Sequence, residues 1–336
     1  MFDAIDLPAV FAFIIAFAIF AYVVMDGFDL GLGILFPLMP DRRDRDTMMN
    51  TIAPVWDGNE TWLVLGGGGL FAAFPLAYAI LIPAIYTPVI VMLLGLIFRG
   101  VAFEFRFRSD EHRYLWDIGF FAGSLAAALS QGIALGAILQ GVTVAGRAYA
   151  GGWWDWLTPF TLLTGVSVVI GYGLLGATWL IMRTEGDLQD RAFNLSRLLA
   201  IGTLAAIAAV SLATPFLEAE YWRRWFSWPN ILLTAPIPLA VAATAFFLMR
   251  ALANRHDHQP FLWSLALFLL SFAGLGVSIW PYVVPSVTTI WDAAAPPESL
   301  GFLLVGIAVL LPIILAYTAY AYWIFRGKVA HDAGYH

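Results

Sequence analysis

Long apolar runs, separated by short polar segments, make up most of this 336-residue chain. A helix needs roughly 20 apolar residues to cross a hydrocarbon layer about 30 Å thick. Windows of that length predict nine spanning helices, joined by short loops. The predicted spans cover residues 8–38, 53–74, 76–99, 117–140, 159–182, 195–216, 230–250, 261–282 and 300–325. The pattern therefore predicts an all-α integral membrane protein with one transmembrane domain over residues 1–336.

The distribution of basic residues predicts how the chain is oriented. Nine spans leave Arg147, Arg223 and Arg224 on one side and the other 14 of the 17 Lys and Arg residues opposite. The basic side is expected to be cytoplasmic, which places the N-terminus outside and the C-terminus inside. The second span begins with polar residues. Omitting it would put Arg42 and Arg106 on opposite sides of the membrane, so the distribution of basic residues supports this span. The first span is expected to be retained, because no basic residue precedes it and no signal cleavage site is present.

The composition excludes a soluble protein and several kinds of metal or redox site. Hydrophobic residues make up 61% of the chain and charged residues only 12%, whereas a soluble domain has about 25% charged residues. The absence of cysteine excludes disulfides, thiolate metal sites and iron–sulfur clusters. All histidines fall in predicted loops or the tail, so a haem held by two histidines of this chain is not expected: His112, His256, His258, His331 and His336. No catalytic residue and no metal ligand is predicted in this chain alone.

The acidic residues that fall within the predicted spans all lie in the first half of the chain. The first four spans and their ends contain Asp26, Asp29, Asp57, Glu60, Glu104 and Asp117, and the last five spans contain no acid. The predicted orientation places all six on the cytoplasmic half. Intramembrane carboxylates usually face a bundle interior or a water path. These residues therefore predict a proton or cation entrance that opens to the cytoplasm and ends part-way across.

A structural explanation of the same acids remains open. Carboxylates in a membrane also persist when they pair with a cation, and Arg42, Arg43, Arg99 and Arg106 are available. Asp57 and Asp117 stand where they could cap helix N-termini. Charge pairing and capping would then account for the acids without any proton transfer.

Three sequence strings resemble subunit II of cytochrome bd-type ubiquinol oxidases. They are Val24-Met25-Asp26-Gly27-Phe28-Asp29-Leu30-Gly31-Leu32-Gly33, Ala53-Pro54-Val55-Trp56-Asp57-Gly58-Asn59-Glu60-Thr61-Trp62-Leu63 and Phe98-Arg99-Gly100-Val101-Ala102-Phe103-Glu104-Phe105-Arg106. The nine-span layout extends the resemblance over nearly the whole chain. The short loops are more similar to the cyanide-insensitive branch.

The resemblance implies a fold, a partner and a reaction. Each large subunit of the family forms two four-helix bundles plus one peripheral helix, in the bacterial inner membrane. Subunit I carries haems b558, b595 and d and the ubiquinol site, and the complex reduces oxygen to water. Protons for water come from the cytoplasm, so the reaction generates proton motive force. Some members add small single-span subunits, and some hold a structural quinone in subunit II.

The resemblance also implies roles for individual acids. The proton route of the family in this subunit corresponds to Asp29, Asp57, Glu104 and Asp117. Glu104 stands where some members have Asp, and Glu60 stands where others have Gln. Asp26 fits the motif, but its place on the route stays open.

Two other classes of function compete with this interpretation. Broken helices with glycine and acidic residues form ion sites in secondary transporters, and Asp26, Asp29 and the run Gly66–Gly69 would suit such a break. Against a transporter, the second half of the chain offers no carboxylate in a span. A purely structural membrane scaffold is the third possibility.

Overall fold

Proline marks several helix boundaries in the computed structural model of the chain, which describes residues 5–109 and 111–329. Pro75 and Pro159 are the first residues of helices, and Pro260 is the second residue of another, as predicted. Proline fits the first turn because its missing N–H would have no partner there. His331 and His336 lie outside the described residues.

Helices account for most of the described chain, with two short β-hairpins between them. The helices are α1 (Leu7–Leu35), α2 (Arg42–Ile52), α3 (Trp56–Ala73), α4 (Pro75–Ala84), α5 (Tyr86–Arg106), α6 (Arg113–Leu139), α7 (Pro159–Arg183), α8 (Gly186–Ala213), α9 (Ala219–Phe226), α10 (Ile231–Thr234), α11 (Pro236–Ala253), α12 (Gln259–Ile279), α13 (Ile290–Ala293) and α14 (Pro297–Ile324). Short 3-10 turns follow α1 at Phe36–Leu38 and α8 at Thr214–Phe216. The antiparallel hairpins pair β1 (Val144–Ala145) with β2 (Ala148–Tyr149), and β3 (Tyr282–Val284) with β4 (Thr288–Thr289).

Eight helical segments of the described chain are long and apolar enough to cross a membrane. They contain α1, α5, α6, α7, α8, α10 with α11, α12, and α14. The chain is therefore a multi-pass membrane protein. Helix α3 is 18 residues long, but its polar first turns keep it outside that set. Nine crossings and their orientation stay a prediction.

The third predicted span, 76–99, is wrong as one continuous helix. The helix breaks at Ile85, where φ is −111° and ψ is 21°, so that α4 and α5 are separate. Pro83 and Pro88 remove two backbone N–H donors around this point. Helix α5 then continues to Arg106 instead of ending at residue 99, and Glu104 lies inside it rather than after a span.

Helix α8 begins well before the predicted span 195–216. It starts at Gly186. The predicted span began later because hydropathy marks only the apolar part of a helix. Leu188 and Phe193 are buried in this first part, which gives the polar segment a packed face.

Loops and helix ends gather at two opposite ends of the molecule. At the end that carries both β-hairpins, Trp291 donates to Asp6 (3.0 Å), and the backbone N–H of Ala295 donates to the carbonyl of Ala73 (2.8 Å). We call this the hairpin end, and the opposite end, which carries α2, the α2 end. At the α2 end, Trp179 of α7 donates to Thr51 of α2 (3.1 Å). The predicted orientation makes the hairpin end external and the α2 end cytoplasmic.

Helix α1 packs against α3, α6 and α7. Its contact with α7 is a backbone contact, since a Cβ added at Gly31 would lie 1.9 Å from the carbonyl oxygen of Tyr172. Helices α8 and α12 each pack against α7, and α11 packs against both α8 and α12. The division into two four-helix bundles and a peripheral helix stays a prediction.

Candidate functional site

Asp26 and Asp29 are fully buried on one face of α1, in its half nearer the α2 end. Residues three apart on a helix are neighbours. Helix α1 is continuous through both positions, so no helix break creates this site. Two buried carboxylates need compensation by a cation or by protonation.

Arg99 of α5 supplies one positive charge to both carboxylates. Its Nη1 lies 2.5 Å from Asp26 Oδ1, and its Nη2 lies 3.9 Å from Asp29 Oδ2. The arginine is itself buried, with 1% exposure. The pairing of these acids with Arg99, which the sequence left open, is thus present. One guanidinium cannot balance two carboxylates, so the three groups are neutral together only when one carboxyl holds a proton.

Asn59 in the first turn of α3 fixes the orientation of Asp29. Its Nδ2 donates to Asp29 Oδ2 (2.8 Å) and to the carbonyl of Met25 (3.3 Å). Its Oδ1 accepts a bond from the Tyr322 hydroxyl of α14 (2.7 Å). The last long helix therefore reaches the carboxylates through this amide. Glu60, the next residue of α3, is half-buried and lies within electrostatic range of Arg99.

A chain of neutral polar side chains continues from Asp26 toward the hairpin end. Tyr172 donates to Gln131 Oε1 (2.6 Å), and Gln131 Nε2 donates to the Tyr22 hydroxyl (2.8 Å). Tyr22 lies one turn before Asp26 on α1 and interacts with its carboxylate. Sequence reasoning missed these three residues, as it missed Tyr322. The available signals were the four-residue spacing of Tyr22 and Asp26 and the isolated amide of Gln131 within an apolar span.

Several polar atoms around the carboxylates have no hydrogen-bond partner among the described residues. They are Asp26 Oδ2, Asp29 Oδ1, Arg99 Nε and Nη2, and Trp62 Nε1. Almost all buried polar groups in proteins are bonded to protein or to ordered water.

Asp117 belongs to a second cluster, at the ends of α5 and α6. Arg106 Nε lies 2.5 Å from Asp117 Oδ1, and Arg45 Nη1 lies 2.6 Å from Oδ2. Arg106 also contacts Asp46 at 2.5 Å. The expected pairing of an acid with Arg106 is present here. The expected N-cap role of Asp117 is wrong, because α6 begins at Arg113, four residues earlier.

Asp57 and Glu104 are exposed at the surface of the chain. Their sequence neighbours Trp56 and Phe103 stack with ring centroids 5.1 Å apart, so both acids lie where the start of α3 meets the end of α5. Asp57 is not an N-cap, since Val55 holds that position without a side-chain bond. The structure thus groups Asp26 and Asp29 with Glu60, places Asp57 and Glu104 on one surface, and holds Asp117 apart.

The described residues show no cluster of metal ligands and no histidine within a spanning helix. They contain no group of three or more His, Cys, Asp or Glu that could hold a metal ion. The described histidines precede α6 (His112) or lie between α11 and α12 (His256 and His258), outside the spanning helices. Axial haem ligation inside the membrane would need a donor within a spanning helix.

Comparison with known proteins gives a consistent result over nearly the whole chain. The sequence profile of cytochrome bd terminal oxidase subunit II matches residues 7–325. Cytochrome bd-I ubiquinol oxidase subunit 2 of Escherichia coli K12 is 33% identical, over 93% of this chain and 92% of that protein. Cytochrome bd ubiquinol oxidase subunit 2 of Bacillus subtilis is 29% identical, over 95% of both chains.

A chain of the bd oxidase of Geobacillus thermodenitrificans has the same fold. Its TM-score is 0.75 at 17% identity, and the match covers 95% of this chain and 99% of that one. At this identity the likeness concerns the fold alone. The length and identity of the sequence matches show more: the chain belongs to the cytochrome bd terminal oxidase subunit II family.

Proposed function

We propose that this chain is the subunit of a bacterial inner-membrane ubiquinol oxidase that ligates no haem and pairs with subunit I. In this proposal subunit I carries haems b558, b595 and d and the quinol site. The complex transfers four electrons from two quinols to one oxygen molecule and forms two water molecules. Family membership and the names of the relatives support the reaction. The absence of histidine from the described spanning helices supports the division of labour.

This chain supplies protons from the cytoplasm to the oxygen-reducing site in the partner. The observation that carries this proposal is the buried group of Asp26, Asp29 and Arg99, because its charges balance only when one carboxyl holds a proton. Asp26 makes the shorter contact with Arg99 and is its main ion-pair partner. Asp29 has a free Oδ1 and is the proton carrier.

Asp57 and Glu104 form the entrance of the route. Both are exposed on the surface of this chain, among large apolar side chains such as Val64 (73% exposed) and Phe98 (62% exposed). Large exposed apolar patches mark contact surfaces, so subunit I covers the apolar surface beside these acids, and the two carboxylates stay open to the cytoplasm at the α2 end. Protons then pass from these acids, past Glu60, to Asp29. Asp117 is held by two arginines and stabilises the ends of α5 and α6 instead of carrying protons.

Substitution of the carrier and of the entrance tests the route. Asp29→Asn and Asp57→Asn should each slow oxygen consumption on the order of 100-fold, the size of a lost proton-transfer step. The reduced-minus-oxidised spectrum and co-purification of subunit I report on assembly. Asp187→Asn is the matched control, an exposed acid in the first turn of α8 at the α2 end. Full turnover of both assembled variants would leave a scaffold role only.

A secondary transporter is not favoured. The glycine run Gly66–Gly69 lies within the continuous helix α3, so it does not form the broken helix that such a site needs. Gly66 and Gly69 instead face Ile19 and Ile15 of α1. The family match supports the oxidase over the transporter.

A further inference from the structure

Helix α9 is fixed at the hairpin end by three side chains that point into the molecule. The Tyr221 hydroxyl donates to the carbonyl of Leu139 at the end of α6 (3.1 Å). Arg224 Nη1 donates to the carbonyl of Ser278 in α12 (3.2 Å), and Trp225 Nε1 donates to the Ser278 hydroxyl (2.9 Å). Hydrogen bonds therefore connect α9 to the ends of α6 and α12 and fix the position of its exposed side.

The exposed side of α9 and of the 3-10 turn before it presents a row of aromatic rings. The centroids of Phe216 and Trp222 are 5.4 Å apart, and those of Trp222 and Phe226 are 4.7 Å apart. These three side chains are 77%, 46% and 50% exposed. Aromatic rings are enriched at the level of lipid headgroups, and amphipathic helices lie in that plane. Such a row is typical of a boundary between membrane and water.

A groove of about 470 Å³ runs between the 3-10 turn and α9. It is lined by Pro215, Phe216, Glu218, Ala219, Trp222 and Arg223. The groove is shallow and open on one side, which suits part of a lipid molecule rather than an enclosed ligand. The groove thus joins an aromatic wall to one acid and one base.

The two charges of the groove are not used within the described chain. Glu218 and Arg223 form no ion pair or side-chain hydrogen bond, with each other or with any other described residue. By contrast, the next arginine, Arg224, is paired with Glu220. Burial raises the pKa of the Tyr221 hydroxyl to about 12, and the nearby charge of Glu218 adds to this effect. The carboxylate of Glu218 therefore lies near α9.

We propose that this groove binds the headgroup of a zwitterionic phospholipid, phosphatidylethanolamine of the outer leaflet. The phosphate binds Arg223, the ammonium binds Glu218, and the glycerol and first acyl carbons lie along Phe216 and Trp222. A charge of each sign in one groove complements a zwitterion, whereas a purely anionic headgroup would meet Glu218. The site depends on the predicted orientation of the chain but not on the proton route.

Lipid titration of the assembled complex tests the site. Native mass spectrometry would compare binding of phosphatidylethanolamine and phosphatidylglycerol with the same acyl chains. The wild-type complex should prefer phosphatidylethanolamine. Arg223→Gln should weaken both lipids about tenfold, the effect of one lost charge-assisted hydrogen bond. Arg147→Gln is the matched control, an exposed arginine on the loop between β1 and β2 at the same end.

Glu218→Gln gives the discriminating result. It should weaken phosphatidylethanolamine and strengthen phosphatidylglycerol, so that the preference reverses. All variants should keep haem content and turnover, which separates this site from the proposed proton route. Equal binding by Arg223→Gln and Arg147→Gln, or a wild-type preference for phosphatidylglycerol, would overturn the proposal. A photo-crosslinker at Phe216 that captures a protein chain instead of lipid would overturn it as well.

Discussion

At the scale of single residues, the charge balance around Arg99 makes its removal more damaging than removal of Asp26. Arg99→Gln leaves two buried carboxylates without a cation, whereas Asp26→Asn leaves Arg99 with Asp29 as its partner. Breaking a buried pair by removing one partner destabilises by about 3–5 kcal/mol. We expect Arg99→Gln to prevent assembly or to lower the thermal midpoint of the complex strongly. Asp26→Asn should lower it much less.

The comparison uses the thermal loss of the haem spectrum in detergent. The double variant Asp26→Asn with Arg99→Gln leaves one carboxyl, which can be neutral by protonation. It should therefore be more stable than Arg99→Gln alone. If Asp26→Asn is as unstable as Arg99→Gln, Asp29 does not share the arginine and the charge argument is wrong.

Gln131 joins two buried tyrosine hydroxyls, so replacing it should lower the stability of the complex more than removing either hydroxyl. Gln131→Leu removes both bonds and leaves the polar groups of Tyr22 and Tyr172 without that partner. An unsatisfied buried polar group costs about 1–3 kcal/mol. We expect a larger drop in thermal midpoint for Gln131→Leu than for Tyr172→Phe. Tyr78→Phe, in α4, is the control, and a Gln131→Leu midpoint equal to that of the control would contradict the bridge.

The sequence predicted the acids of the buried site and named Arg99 as a possible partner, but it did not predict the network around them. Asn59 and Tyr322 lie 263 positions apart in the chain. Such pairs depend on how helices are arranged, which hydropathy does not encode. The capping roles of Asp57 and Asp117 were wrong because each helix begins before the residue that was thought to cap it.

At the scale of helices, the contact between α1 and α7 depends on glycine. A Cβ at Gly31 would lie 1.9 Å from a backbone oxygen, which cannot move without moving α7. Small residues allow such close approach in membranes. We expect Gly31→Ala to separate the helices, displace Asp26 and Asp29, and abolish assembly. Gly276→Ala, where nothing lies within 4 Å of the added Cβ, should assemble normally, and loss of both variants would show a general intolerance of the substitution.

Helix positions were predicted better than helix ends. Hydrophobic windows located each apolar helical segment, because burial in lipid requires that composition. They did not predict the break at Ile85, where Pro83 and Pro88 interrupt an apolar run. They also stopped short of the polar turns that extend α8 at its start. Helix bounds depend on backbone hydrogen bonds, which continue beyond the apolar segment.

At the scale of the whole molecule, the surface around Asp57 and Glu104 should be covered in the oxidase. The chain has no cysteine, so a single introduced cysteine reports on one position. Val64 of α3 (73% exposed) and Leu212 of α8 (71% exposed) are equally accessible in the isolated chain. If subunit I covers the apolar surface beside the two acids, a membrane-permeant maleimide should label Leu212→Cys quickly and Val64→Cys slowly in the complex. Dissociation of the subunits should equalise the two labelling rates. Equal labelling before dissociation would place subunit I on another face of this chain. Asp57 and Glu104 would then no longer be the proton entrance.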